Sequence, residues 1–216
     1  EGMISPPREG IMKLASYIRV AFATTFNIIL NALTLGRYVW LEGRVRNGVF
    51  RNWARRFRYT PPNFVQPTTE AEIIGLVKNS KRLRVFGSAH SFNRGVVAED
   101  TLISLDRYSG VIWKNPEKKQ LAVKAGTRVR DVVAALLDEG LAFAAQPSHD
   151  AQSIAGILST DVHGTGSNWG FVSESVVKLK LVDGKGEIFE CRPTDDLFRA
   201  AIGGVGAVGI ILEVAV

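Results

Sequence analysis

Two stretches decide the reading of this chain: Leu83-Arg-Val-Phe-Gly-Ser-Ala-His-Ser91 and Gln152-Ser-Ile-Ala-Gly-Ile-Leu-Ser-Thr-Asp-Val-His-Gly-Thr-Gly166. The first runs from an apolar strand pattern straight into a loop of small residues. Small side chains leave consecutive backbone N–H groups free to converge on an anion, and Ser88 and Ser91 add hydroxyl donors. His90 stands at the end of that loop. The second stretch repeats the chemistry, with Ser153, Gly156, Ser159, Thr160, Gly164 and Thr165 around His163. Two such segments, about 70 residues apart, suit a grip on one extended diphosphate from two sides. Each has a plainer alternative: a turn with a surface histidine at His90, and a histidine bonded to backbone within a turn at His163.

Working outward, short β-rich runs alternate irregularly with helical ones. Pro61-Pro62 and Pro67 punctuate the entry. Thr69-Glu-Ala-Glu72 is a capping box, and Ile73, Ile74 and Val77 supply the apolar stripe of a short helix behind it. Residues 83–86, 101–105, 111–114 and 120–124 read as strands. Thr127 is placed to cap a helix whose apolar face is Val129, Val132, Val133, Leu136 and Leu137, with Gly140 as its left-handed stop. Residues 176–182 and 187–191 flank Asp183-Gly-Lys-Gly186, the signature of a hairpin. A short helix over 195–201 and a final strand over 210–216 complete an α+β order, with no internal repeat or low-complexity tract. Gly204-Val-Gly-Ala-Val-Gly209 fits G-x-G-x-x-G, but a dinucleotide fingerprint follows a strand and opens a helix. Here a helix precedes and a strand follows, so the Rossmann reading is rejected in favour of a close-packed turn.

The chain has 216 residues, 46% of them apolar and 9% aromatic, which supports a sizeable core and excludes wholesale disorder. Its single cysteine, Cys191, excludes an intrachain disulfide and a Cys-rich zinc ribbon. No pair of the three histidines has the spacing of a metal helix, so no metal site is expected. No G-x-S-x-G elbow or Ser/His/Asp order stands out. Side-chain chemistry is thin, which points to a borrowed cofactor.

Charge is unevenly placed. Residues 36–58 hold seven arginines against Glu42, whereas residues 59–216 hold 17 basic and 18 acidic groups. The near-neutral body argues against a nucleic-acid partner. Just before the arginines runs LASYIRVAFATTFNIILNALTL, residues 14–35, about 33 Å long as a helix and close to a bilayer core of about 30 Å. The expectation is a membrane span or in-plane anchor; a helix packed on the protein's own core, or a targeting segment, is the alternative. If it spans, the arginines hold the C-terminal side in the cytoplasm. The opening on Glu1 and the apolar close at Val216 carry the expectation that the chain is part of a longer protein.

Taken in order, Asn52-Trp-Ala54, Pro67 before a helix, Val85-Phe-Gly-Ser-Ala-His-Ser91, Ser153-Ile-Ala-Gly156, Val162-His-Gly-Thr165 and Gly209-Ile-Ile-Leu-Glu-Val214 resemble the FAD-binding domain of the vanillyl-alcohol-oxidase-like, PCMH-type flavoproteins. Within them the likeness is to the aldonolactone oxidases, which act on gulono-, galactono- and arabinono-1,4-lactones. It covers roughly residues 52–216, leaving 1–51 as a separate hydrophobic helix and arginine-rich segment.

The resemblance implies a two-subdomain FAD-binding domain with the diphosphate between its halves and a substrate domain C-terminal to it, where the catalytic residues would lie. Phe86, Gly87, Ser88, Ala89, His90, Ser91, Ser153, Gly156, Thr160, Val162, His163 and Gly164 are implied to hold FAD, and Ile210 to neighbour the adenine end. The histidine matching His90 is commonly bonded to the flavin 8α-methyl group. Pro147 matches a loop position where oxidases carry Gly or Pro, leaving oxygen a path to the flavin. Asp161 replaces a usual glycine and sets a carboxylate near the diphosphate, which repels unless it points away or pairs. The implied activity is oxidation of a CH–OH group of a sugar lactone or polyol, with electrons passed to oxygen and release of hydrogen peroxide. A dehydrogenase using a quinone or cytochrome, and a non-enzymatic membrane-anchored module, are the rivals.

Overall fold

Within the computed structural model, which describes residues 44–216, the arginine-rich stretch is β structure from its first described residue. Arg44–Arg46 (β1), Val49–Arg51 (β2) and Arg58–Tyr59 (β3) form a small antiparallel sheet. Asn47 and Gly48 both take positive φ, +48° and +75°, as a two-residue hairpin turn demands. Phe50 on β2 is fully buried, with Phe57, Tyr59 and Phe86 ring centroids 5.1 to 5.9 Å away. The boundary drawn from the sequence at 51/52 falls inside this sheet. The expected hydrophobic helix over 14–35 lies outside the described residues. Among the described residues no helix is long and apolar enough to cross a membrane.

A parallel sheet follows. Asn63–Val65 (β4) leads through Glu70–Asn79 (α1) to Leu83–Phe86 (β5), and Thr101–Ser104 (β6) inserts between the two strands. Parallel strands need crossovers: α1 carries the chain from β4 to β5, and residues 87–100 carry it from β5 to β6. The capping box is formed: Thr69 Oγ1 accepts from the Glu72 N–H at 3.2 Å, and Glu72 Oε2 accepts from the Thr69 N–H at 3.3 Å. Stronger still are the bonds to Glu72 from the Thr68 backbone and hydroxyl, which pull its carboxyl below the ordinary range. β6 is buried throughout because both faces of the sheet are covered. Leu102 joins the Phe50 cluster, and Ile103 joins the main core.

The larger sheet is antiparallel. Val111–Asn115 (β7) and Gln120–Lys124 (β8) precede two helices, Val129–Leu137 (α2) and Ile154–Ser159 (α3). A 3-10 turn at Val172–Ser175 leads to Lys178–Val182 (β9) and Ile188–Cys191 (β10). Asp196–Ala201 (α4) then returns the chain to Ile210–Ala215 (β11), and the order is β10-β9-β11-β8-β7. The hairpin read around Asp183 is present; its Oδ1 accepts from the Lys185 and Glu187 N–H groups, each at 2.9 Å. Thr127 does not cap α2. The N-cap is Arg128, and the Thr127 hydroxyl donates to Lys124 O at 2.6 Å while accepting from the Gly110 N–H at 2.9 Å. Val129, Val132, Ala135 and Leu136 face the core, and Leu137, expected on that face, is exposed. The edge strands expose Val111, Ile112 and Trp113 on β7, and Ile188 and Phe189 on β10.

The two larger sheets are held together by contacts of two kinds. Gly126, at the end of β8, lies so close to the turn after β6 that a Cβ there would stand 1.9 Å from Leu105 O and 2.7 Å from Tyr108 O. Lys180 on β9 bonds Glu70 of α1 at 2.7 Å and Glu213 of β11 at 3.4 Å. Burial alone would lower the Lys180 pKa, but its bond to Glu70 and the charges of both carboxylates outweigh this and raise it. Tyr108 beside them is pushed up to about 12, by burial first and then by the charges of Glu70 and Glu213.

Two outcomes follow from these contacts. Gly126→Ala should lower stability to urea by about 3 kcal/mol through overpacking against fixed backbone, whereas Thr69→Ala should lose about 1 kcal/mol of capping. The Tyr108 phenol keeps its proton in the folded chain above the pH at which the unfolded chain releases it. Its contribution is therefore full below about pH 10 and lost as pH rises through about 12. In urea melts across that window, wild type should lose stability relative to Tyr108→Phe as the pH rises.

Candidate functional site

β5 delivers the chain into residues 87–91, and this loop touches the start of α3 directly. A Cβ at Gly87 would lie 2.0 Å from Ser153 Oγ, so the approach requires glycine. Around the contact lies a cavity of about 560 Å³, in the size range of small-molecule sites. One wall is β5, the 87–91 loop and the end of α1. A second is formed by residues of the 152–160 segment. The third comes from residues 182–184 and the turn 205–211 that enters β11. Residues of the 83–91 and 152–160 segments thus line one cavity.

The loop is shaped by backbone. Ala89 takes φ +53°, and the Trp53 N–H donates to Ala89 O at 2.9 Å. Buried Asn52 donates through Nδ2 to Ser91 O at 3.1 Å and accepts the Phe57 N–H at 3.3 Å. The Asn52-Trp53 pair is therefore the clamp of the loop. The Trp53 ring lies 5.4 Å from that of His90, and the His149 ring lies 4.5 Å from it. Among the described residues no protein acceptor meets the N–H of Ser88 or Ala89.

The hydroxyls behave differently from expectation. Ser88 donates to Ala151 O and accepts from the buried Arg128 guanidinium, which also pairs with Asp106 at 2.7 Å. Ser153 Oγ caps α3 by accepting the Gly156 N–H at 3.2 Å, and Thr160 donates to Gly156 O at 3.1 Å. The Ser88 and Thr160 hydroxyls are thus spent on main-chain carbonyls.

Phe86, Gly87, Ser88, Ala89, His90, Ser91, Ser153, Gly156, Thr160 and Ile210 all line the cavity. Pro147, Val162, His163 and Gly164 are not part of its wall. The chain leaves the cavity after Thr160 through a left-handed turn at Asp161, φ +46°. His163 is exposed, its Nδ1 lies 2.8 Å from Gly164 O, and its ring meets Phe171 edge-on. Gly164 abuts the backbone of Gln146, where a Cβ would stand 2.6 Å from the carbonyl oxygen. The carboxylate of Asp161 accepts from the Ser173 hydroxyl at 2.6 Å, so it pairs and lies outside the wall.

Sequence reasoning missed two contributors. Gly204–Gly209 is the close-packed turn it was read to be: a Cβ at Gly209 would lie 2.2 Å from Val182 O. Yet Val205, Gly206, Ala207 and Gly209 also line the cavity. Their position next to Ile210, already placed at the site, was the available signal. The other is Gln152, a wall residue whose buried Oε1 has no hydrogen-bond partner among the described residues. Nothing in the sequence marks it out.

Residues 61–192 match the family model described as FAD binding domain. The chain is 33% identical over 184 residues to D-arabinono-1,4-lactone oxidase of Candida glabrata, covering 81% of this chain and 35% of that protein. It is 29% identical over 171 residues to L-gulonolactone oxidase of Mus musculus, covering 76% of this chain and 39% of that protein. The chain therefore spans a little over a third of these curated relatives. Among solved structures, wild-type Phl p 4.0202, a glucose dehydrogenase, superposes with a TM-score of 0.62 at 22% identity, over 71% of this chain and 34% of that one. The likeness in fold agrees with the family match, which takes in more than half the chain: this chain belongs to the FAD-binding domain family, and FAD is its cofactor.

Proposed function

We propose that this chain is the FAD-holding part of an oxidase that oxidises a CH–OH group of a sugar lactone of the D-arabinono-1,4-lactone type, with oxygen as acceptor and hydrogen peroxide as product. The observation that carries the reading is the placement of His90 on the wall of the one cavity shared by both glycine-bearing segments. Its similarity to D-arabinono-1,4-lactone oxidase supports the substrate class.

The residues fit the cofactor. A buried acceptor with no partner costs about 1–3 kcal/mol, so Gln152 Oε1 favours a ligand that brings a donor, such as a ribityl hydroxyl or an amine. The N–H groups of Ser88 and Ala89 suit diphosphate oxygens. Gly156 and Thr160 face the same space, and Ile210 offers an apolar surface to the adenine. Trp53 shields the His90 ring, which we assign as the covalent tether. Pro147, the residue after the Gln146 that Gly164 abuts, lies outside the wall and is assigned to oxygen access. When bound, FAD supplies the hydride acceptor for the substrate carbon. The apolar run 14–35 and the arginines behind it support membrane association with the FAD-binding domain on the cytoplasmic side.

The full chain should be yellow, and its colour should survive acid precipitation. His90→Ala should still bind FAD but release it into acid; acid-stable flavin in that variant would remove His90 as the tether. With D-arabinono-1,4-lactone, the full-length protein should consume oxygen and form peroxide. Reduction of a quinone-like dye without oxygen uptake would instead identify a dehydrogenase.

A further inference from the structure

We infer that the outer face of the β1–β3 sheet docks on an anionic phospholipid surface through Arg46, Arg51 and Arg58. The inference rests on the reading of this chain as membrane-associated.

The pleat sorts the sheet into two faces. Phe50 pairs with Val45 on β1 and with Tyr59 on β3, and all three side chains pack into the Phe50 cluster. Their neighbours along the chain point the other way: Arg46 on β1, Val49 and Arg51 on β2, and Arg58 on β3. Arg46 and Arg58 are exposed, and Arg51 is half-buried. By backbone register Arg51 stands opposite Arg58 on one side and Arg44 on the other, so arginine meets arginine across all three strands. Like charges directly opposite one another destabilise a sheet. Among the described residues no carboxylate pairs with Arg51 or Arg58. Residues 44–58 hold six arginines and no acidic residue. An anionic surface laid against this row relieves the repulsion.

Two features select lipid. Between Lys13 and Lys78 the chain has no lysine, so the row is guanidinium throughout. Guanidinium forks match phosphate oxygens two at a time. The apolar run 14–35 ends nine residues before Arg44, a stretch that reaches at most about 30 Å when fully extended. With that run in a bilayer, the arginine face stays within reach of the headgroups. A nucleic acid shares the phosphate chemistry but gives the apolar run no role.

The docked face also bears on the cofactor site. β2 runs straight into the Asn52-Trp53 clamp, and Phe50 meets Phe86, the last residue before the 87–91 loop, at 5.1 Å. Docking leaves only the Phe50 cluster between the headgroups and the strand that delivers that loop.

The test uses the full chain in phosphatidylcholine vesicles, with and without phosphatidylserine. Thr60→Cys, exposed just after β3, carries a bimane label; Cys191 is buried and escapes it. Spin-labelled headgroups quench the bimane when the face is docked, and flotation separately reports attachment of the chain. Quenching should require phosphatidylserine and vanish at high salt. Arg46→Gln/Arg51→Gln/Arg58→Gln should lower the docked-to-undocked ratio about 100-fold, at about fivefold per arginine, while the chain still floats. Should that variant not fold, Arg58→Gln on the edge strand reads about a fivefold loss alone. Lys118→Gln/Lys185→Gln/Arg192→Gln removes equal charge at exposed positions on the larger sheet's side and should leave quenching unchanged. Quenching that is equal on neutral vesicles, or that survives the arginine substitutions, would overturn the inference and leave the anchor reading intact. An equal loss in the control variant would overturn it as well, by making the attraction one of net charge. Duplex DNA retention that depends on the three arginines while quenching does not would assign the face to nucleic acid instead. A chain that floats with neither vesicle would remove both readings.

Discussion

Burying a guanidinium obliges the surrounding chain to supply partners, and Arg128 imposes that demand where the two larger sheets meet. It is 9% exposed. A buried charge is tolerated only when paired and hydrogen-bonded, and removing one partner of such a pair typically costs about 3–5 kcal/mol. Here Asp106 comes from the turn after β6, Ser88 from the loop after β5, and the Ala151 carbonyl, through Ser88, from the approach to α3. The Arg128 backbone also bridges to Ser153. One side chain thereby sets the distance between the two segments that line the cavity, and Gly87 has room for nothing larger.

The shape of the cavity follows from that spacing. The hydroxyls of Ser88, Ser159 and Thr160, which look from the sequence like ligand donors, instead donate to main-chain carbonyls. The main-chain N–H groups of Ser88 and Ala89 meet no acceptor among the described residues, and such donors do not depend on side-chain identity. The turn before β11 closes the third side, and Lys180 with its two carboxylates keeps α1 against β9 and β11. The site is thus a product of how three parts of the fold meet, and no single element contains it.

This arrangement explains what could be read in advance. β5 to β11 are short apolar runs bounded by glycine, proline or Asx turns, and the capping box at Thr69 is a local signal; all were legible. The small sheet of β1 to β3 was not, because its arginines masked a pattern that only Phe50 and the Asn47-Gly48 turn betray. The start of α2 was misplaced by one residue, since Thr127 has a tertiary use, tying β8 to Gly110, that competes with capping. His90 and the 87–91 loop were found through their order along the chain, whereas Gln152 was invisible because its meaning lies in a missing partner. The segment 162–164 carried the right motif yet stands outside the wall, a consequence of the left-handed turn at Asp161.

That turn ties two distant positions together. A non-glycine residue at φ +46° tolerates its conformation best when a short polar side chain finds an anchor, and Ser173 provides one across twelve positions. Take away the Ser173 hydroxyl and the Asp161 carboxylate loses that anchor while its backbone must still bend left-handed, so the burden of a change at position 173 falls on the place where the chain turns away from the cavity.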